Sequence, residues 1–149
     1  MNEYELRTLL VAVAAQLGHT DHYLIADLRH TVVDDVLVNF IHDAQHDARR
    51  LVLHFDMGEL PEHEPLLALL GLMHLNLLSG SKTTGVFALD AAASRLIYAV
   101  HFFEPNRSPA LAMVNALREH AQKAKAALAL IEAAVAEEAQ AQPPIHQLA

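Results

Sequence analysis

No cysteine occurs among the 149 residues of the chain. That excludes a disulfide framework, a thiolate metal site and a cysteine nucleophile together, and it suits a reducing cytosol. No uninterrupted apolar run approaches the roughly 20 residues of a membrane-spanning helix. The opening Met1-Asn2-Glu3-Tyr4-Glu5 is acidic and lacks the basic region of a signal peptide, so the cytoplasm is the expected location and no membrane partner is expected. Clustered basic charge is missing as well. Ten Lys and Arg stand against eighteen Asp and Glu, for a formal net charge of −8. The basic residues are scattered, with Arg49-Arg50 the only adjacent pair, which argues against a nucleic-acid partner.

Catalytic patterns are equally scarce. Ser79, Ser81, Ser94 and Ser108 have no nucleophile-elbow context. Gly80-Ser81-Lys82-Thr83-Thr84 has Ser81 where a phosphate loop needs glycine before its lysine, and it follows a predicted helix where a strand is required. His63-Glu64 begins like a zinc-protease motif, but Leu67 stands where the second histidine would have to be. Asp34, Asp35, Asp43, Asp47, Glu59, Glu62 and Glu64 fall in turns and at helix starts, where solvated acids are ordinary. Of the eleven histidines, His19 with His22 and His42 with His46 have ligand-like spacing. The second pair sits in a predicted turn, where spacing does not bring side chains together. Solvated or packing histidines are therefore expected, with no metal, no cofactor and no catalytic residue.

What is abundant is apolar surface, at 53% of residues, much of it Ala and Leu. Glu3 to Leu17 reads as an amphipathic helix with Leu6, Leu9, Leu10, Val13 and Leu17 on one face, Asn2 as its cap and Gly18 as its stop. Tyr23 to Leu28 is read as a short strand within an ambiguous stretch. Val36 to Ile41 and Leu51 to Asp56 alternate as two strands joined by the polar His42 to Asp47, and Met57 to Pro61 breaks the second. Glu64 to Ser79 is a helix that begins on Pro65, ends before Gly80 and is apolar around nearly its whole circumference. One small domain rarely buries every side of a helix, and a symmetric dimer through it would solve the problem. His74 and Asn76 are its polar exceptions: either a buried pair that fixes dimer register or residues facing solvent.

Val86 to Leu89 and Leu96 to Phe102 form a second hairpin. After Ser108-Pro109, a long helix carries the stripe Leu117, Ala121, Ala124, Leu128, Ile131 and Val135. The order α-β-β-β-α-β-β-α predicts an α+β fold, with helices packed on a mostly antiparallel twisted sheet. Residues 1–139 are expected to form one domain, and 140–149 a flexible tail.

Four phrases in this order resemble the Tir chaperone (CesT)-like family of type III secretion chaperones. They are Leu17-Gly18 ending the first helix, Leu51 to Pro61 closing the first hairpin, Leu75-Asn76-Leu77-Leu78 ending the second helix, and Gly85 to Asp90 leading into Leu96-Ile97-Tyr98. The resemblance covers about residues 3–135, with a poorly marked first strand and an unusually long, Ala-rich last helix. It implies a homodimer paired through the second helix and the strand after it, here Leu66, Leu69, Leu70, Met73, Leu77, Val86 and Phe87. It also implies grooves built from the first helix and the sheet, here Leu6, Leu10, Val13, Val38, Phe40 and Leu53. Those grooves would hold the N-terminal segment of a secreted effector in extended form, soluble and secretion-competent, without ATP. A regulatory or structural interaction module of the same fold, with a folded and non-exported partner, is the alternative. A small metal-dependent enzyme using the histidines is a third.

Overall fold

The computed structural model describes residues 1–79 and 85–141. The first helix, α1 (Glu3–Leu17), opens with a capping box: Asn2 Oδ1 accepts from the Glu5 amide while the Glu5 carboxylate accepts from the Asn2 amide. It ends on Gly18, whose left-handed φ of 83° suits a residue without a Cβ. A short helix, α2 (Leu24–Leu28), then replaces the strand expected there. The reason is burial: Ile25 and Ala26 are adjacent and both lie in the core. On an outer strand with one bare face consecutive residues cannot both be buried, whereas on a helix two neighbours about 100° apart can fall within one broad apolar face. Arg29, in the left-handed region, ends α2 and turns the chain into β1 (His30–Val33).

Asp34 and Asp35, both left-handed, form the two-residue loop between β1 and β2 (Val36–Ile41), a geometry that matches the twist of paired strands. The polar connection after β2 holds a single turn of helix, α3 (Ala44–Asp47), capped by the Asp43 carboxylate. The strand β3 (Arg50–Glu59) is longer than its alternation suggests. A bulge interrupts its ladder between Asp56 and Gly58, where Gly58 has φ 109° and its amide donates to Asp56 Oδ1 at 2.8 Å. The remaining elements are α4 (Pro65–Ser79), β4 (Gly85–Asp90), β5 (Arg95–Phe103), a 3₁₀ turn over Pro105–Arg107 and α5 (Ala110–Ala141).

The five strands form one antiparallel sheet in the order β1-β2-β3-β5-β4. Its register aligns Val38, Phe55, Tyr98 and Phe87 in one row across four strands, all buried. This face is covered by α5, which also packs against α1 and α4. The Ala-rich stripe of α5 permits that close approach: Leu117, Ala121, Ala124 and Ile131 are buried, and Leu128 and Val135 are packed against the core. On α4, Gly71 lies so close to Ile131 that an added Cβ would sit 3.2 Å from its Cγ1. Gln140 and Ala141 are the last residues of α5, so the first two positions of the expected tail are helical. The rest of that tail, the Gly80 helix stop and the loop tested against the phosphate-binding pattern lie outside the described residues.

Candidate partner-binding surfaces

Only Ala68 and Leu72 of α4 are buried. Leu66, Leu70, Met73, Leu77 and Leu78 are exposed, Met73 to 67% and Leu77 to 76%, and Val86 on the neighbouring β4 is exposed beside them. Of the seven residues expected at a dimer contact, Leu66, Leu70, Met73, Leu77 and Val86 are thus on the surface, and Leu69 is half-buried. Phe87 is the exception, because its ring points to the helix-covered face and stacks on Tyr98 at 4.6 Å. The two polar residues of α4 separate. His74 is exposed, while Asn76 is half-buried and bonds twice to the backbone of Phe87. Asn76 therefore ties α4 to β4 within one chain.

The six residues expected to line a partner groove fall elsewhere. Leu6, Leu10, Val13, Val38, Phe40 and Leu53 are all in the interior of the domain. Helical and alternating periodicity identifies the buried face correctly, but that face is filled by the protein's own α1, α5 and sheet. Direct contact between these six and a partner would require the core to open. What the surface offers nearby is different. Tyr4 on α1, Tyr23 ahead of α2, Leu24 and Leu28 on α2, and Val32 on the edge strand β1 are all exposed, Tyr4 to 78% and Val32 to 60%.

A shallow groove of about 240 Å³ is lined by Tyr4, Arg7, Thr8, Val11 and Tyr23. Arg7 lies over the Tyr23 ring at 5.6 Å and pairs with Asp27 at 2.6 Å, which holds α1 and α2 together beside it. Arg29 pairs with Glu3 across the same junction. An apolar residue alone on a helix or a short strand gives little warning of such a patch, since its components come from three elements.

The histidines disperse. His46 Nδ1 lies 2.5 Å from Asp43 Oδ2, and His42 Nε2 lies 3.2 Å from the Ala48 carbonyl oxygen. Among the described residues there is no group of three or more His, Asp or Glu able to hold a metal ion. His54 is half-buried on the sheet face opposite α5, and its imidazole pKa is lowered, first by burial and then by His101, against the opposing pull of Asp90.

His120 on α5 is buried among Phe55, Tyr98 and Phe102, with Nδ1 at 3.2 Å from the Tyr98 hydroxyl. Burial, aided by Lys123 and opposed by Glu119, holds its pKa below the ordinary 6.5. The unfolded chain therefore takes up this proton first. The contribution of neutral His120 to stability is complete above that ordinary value and is lost below it, as the pH falls to the lowered pKa of the folded state. We expect the urea midpoint to drop between pH 7 and about pH 5.5, and His120→Gln to flatten part of that slope. An unchanged slope in the variant would exclude His120 as the source.

Taken together, the described residues define an α+β domain with a five-stranded antiparallel sheet, packed helices and two apolar surfaces left uncovered. No helix among them is long and apolar enough to cross a membrane. No protein-family model and no curated protein matches the sequence. Among solved structures, the chain is similar to one in the crystal structure of the ExsC–ExsE complex, at 17% identity and a TM-score of 0.61, covering 85% of this chain and 95% of that one. It is also similar to a chain in the structure of the HopA1–SchA chaperone–effector complex, at 15% identity and a TM-score of 0.46, covering 78% and 95%. The fold is thus shared with the chain from the ExsC–ExsE complex.

Proposed function

We propose that this chain is a type III secretion chaperone: a cytoplasmic homodimer that binds the N-terminal segment of an exported effector. It keeps that segment soluble and extended, uses neither ATP nor a cofactor, and has no catalytic centre. The observation that carries this reading is the amount of apolar surface left uncovered, divided between α4 with β4 at one end of the sheet and α1, α2 and β1 at the other. The fold likeness to a chain of the ExsC–ExsE complex and the resemblance in the order of local phrases support it.

The two surfaces suit different occupants. The α4 ridge is a row of large aliphatic side chains on a helix, which a second copy can match by symmetry. The α1–α2–β1 corner combines exposed aromatic and aliphatic side chains with the outer edge of a strand. An extended segment gains backbone hydrogen bonds from a strand edge and seats alternate side chains on the apolar neighbours. Ordering such a segment costs conformational entropy, so a large apolar contact is needed to offset it. The acidic net charge keeps so apolar a protein soluble and favours a neutral or basic segment.

Two measurements test this. Affinity capture from the native cell, followed by peptide identification, should recover the N-terminal segment of a secreted protein. Recovery of a folded, non-exported regulator alone would overturn the reading in favour of a non-secretory interaction module. With the segment in hand, Val32→Lys should weaken its binding at least about tenfold, since it places a charge on the exposed edge strand. Unchanged affinity would remove β1 from the binding surface.

A further inference from the structure

The sheet has two outer strands, β1 and β4, and their edges differ. On β4, Asn76 reaches over from α4. Its Nδ2 donates to the Phe87 carbonyl oxygen at 2.8 Å, and its Oδ1 accepts from the Phe87 amide at 2.8 Å. These are the two hydrogen bonds that a residue on a neighbouring antiparallel strand would make. Phe87 therefore turns its backbone groups away from β5, and one carboxamide occupies both.

On β1 the phase is set by the bond from the Phe40 amide to the Arg29 carbonyl oxygen. Alternation then turns Arg29, Thr31 and Val33 toward β2, and the N–H and C=O groups of His30 and Val32 outward. An outward row of this kind is a template for another strand unless something covers it.

We propose that Asn76 is a positioning residue that closes the middle of the β4 edge, so that an extended chain finds an uninterrupted edge at β1 alone. The identity of that chain rests on the function proposed above; the closure itself does not. Phe87 is well placed for the purpose. Its ring is held against Tyr98 from the covered face, so its backbone cannot swing away from the Asn76 amide. The same two bonds fix the rotation of α4, which turns Met73 and Leu77 outward. A second copy therefore meets the α4–β4 face through side chains and does not extend the sheet. The two edges, alike in a bare five-stranded sheet, acquire separate roles from one side chain.

Amide hydrogen exchange, followed by NMR on the full chain without partner, tests the closure. In the wild type the Phe87 amide should exchange at least about tenfold more slowly than that of Val32. In Asn76→Ala, Phe87 should speed up by about tenfold, the factor expected for losing a pair of hydrogen bonds, while the amides of β3 keep their protection. The same variant should form larger species with rising concentration in sedimentation velocity, through its opened edge. Asn76→Asp retains the acceptor for the Phe87 amide and should keep part of the protection, which serves if the alanine variant does not fold. Phe87 exchanging as fast as Val32 in the wild type would overturn the proposal. So would undiminished protection of Phe87 in Asn76→Ala, since something else would then cover the edge. A chain that passes this test and captures no exported segment would refute the proposed function and leave the closed edge standing.

Discussion

Met73→Asp should halve the molar mass measured by light scattering after gel filtration and leave the far-ultraviolet circular dichroism unchanged. This follows from the proposed pairing through α4. Met73 is two-thirds exposed in the single chain and stands among Leu66, Leu70 and Leu77, which are exposed with it. Burying a side chain of this kind is worth about 1.5–3 kcal/mol. A twofold axis makes each substitution count twice. The lost contact alone weakens the pair by about 4 kcal/mol, on the order of a thousandfold in the dissociation constant, before the cost of desolvating two carboxylates is added. Because Met73 contributes little to the interior of its own chain, the fold is retained. A wild type that is already monomeric, or a variant that stays paired, would defeat the assignment of this ridge.

Gly85→Ala acts on the fold directly. A Cβ at Gly85 would lie 2.4 and 2.5 Å from two ring carbons of Tyr98 and 2.6 Å from its hydroxyl oxygen. That ring has nowhere to go: it is fully buried, stacked on Phe87, tilted against Phe55 and bonded to His120. An aromatic ring laid over a glycine of an outer strand covers backbone that would otherwise be bare. Adding a methyl group forces the ring or the strand to shift, a change costing about 3 kcal/mol and lowering Tm by on the order of 10 °C. Tyr98→Leu with Gly85→Ala should recover part of the loss, which calorimetry on the single and double variants would detect. A single variant as stable as the wild type would mean that the strand end yields freely.

Much of this architecture is legible in the residues alone. Asn2 and Gly18 mark the ends of α1 because capping chemistry is local. The alternation in β2 and β3 and the Ala stripe of α5 report one buried face each, which is all that periodicity can report. The failures have a common cause. Tyr23 to Leu28 is too short to show a period, and only the packing of Ile25 beside Ala26 makes it helical. The six residues that the resemblance places in a partner groove are recognisable as apolar and aligned, but nothing in a spacing says whether the apolar face meets a stranger or the protein's own core. The α4 ridge is the opposite case. A helix with no polar side announces its surplus whatever the fold around it. Asn76 is visible in the sequence as a polar exception, and only the neighbouring strand reveals its task.

The central ladder pairs β3 with β5, residues on either side of α4 and the first outer hairpin strand. On the ribosome, β1 to β3 emerge first and can fold together into a three-stranded meander, whose last strand then waits for its neighbour. At roughly 5–20 residues per second, several seconds pass before Phe103 is made and β5 can close the gap. For that interval Leu51, Leu53 and Phe55 stand on an unfinished sheet. Synthesis speed through α4 and β4 therefore sets how long the nascent chain is exposed to misassociation with its neighbours on the same message.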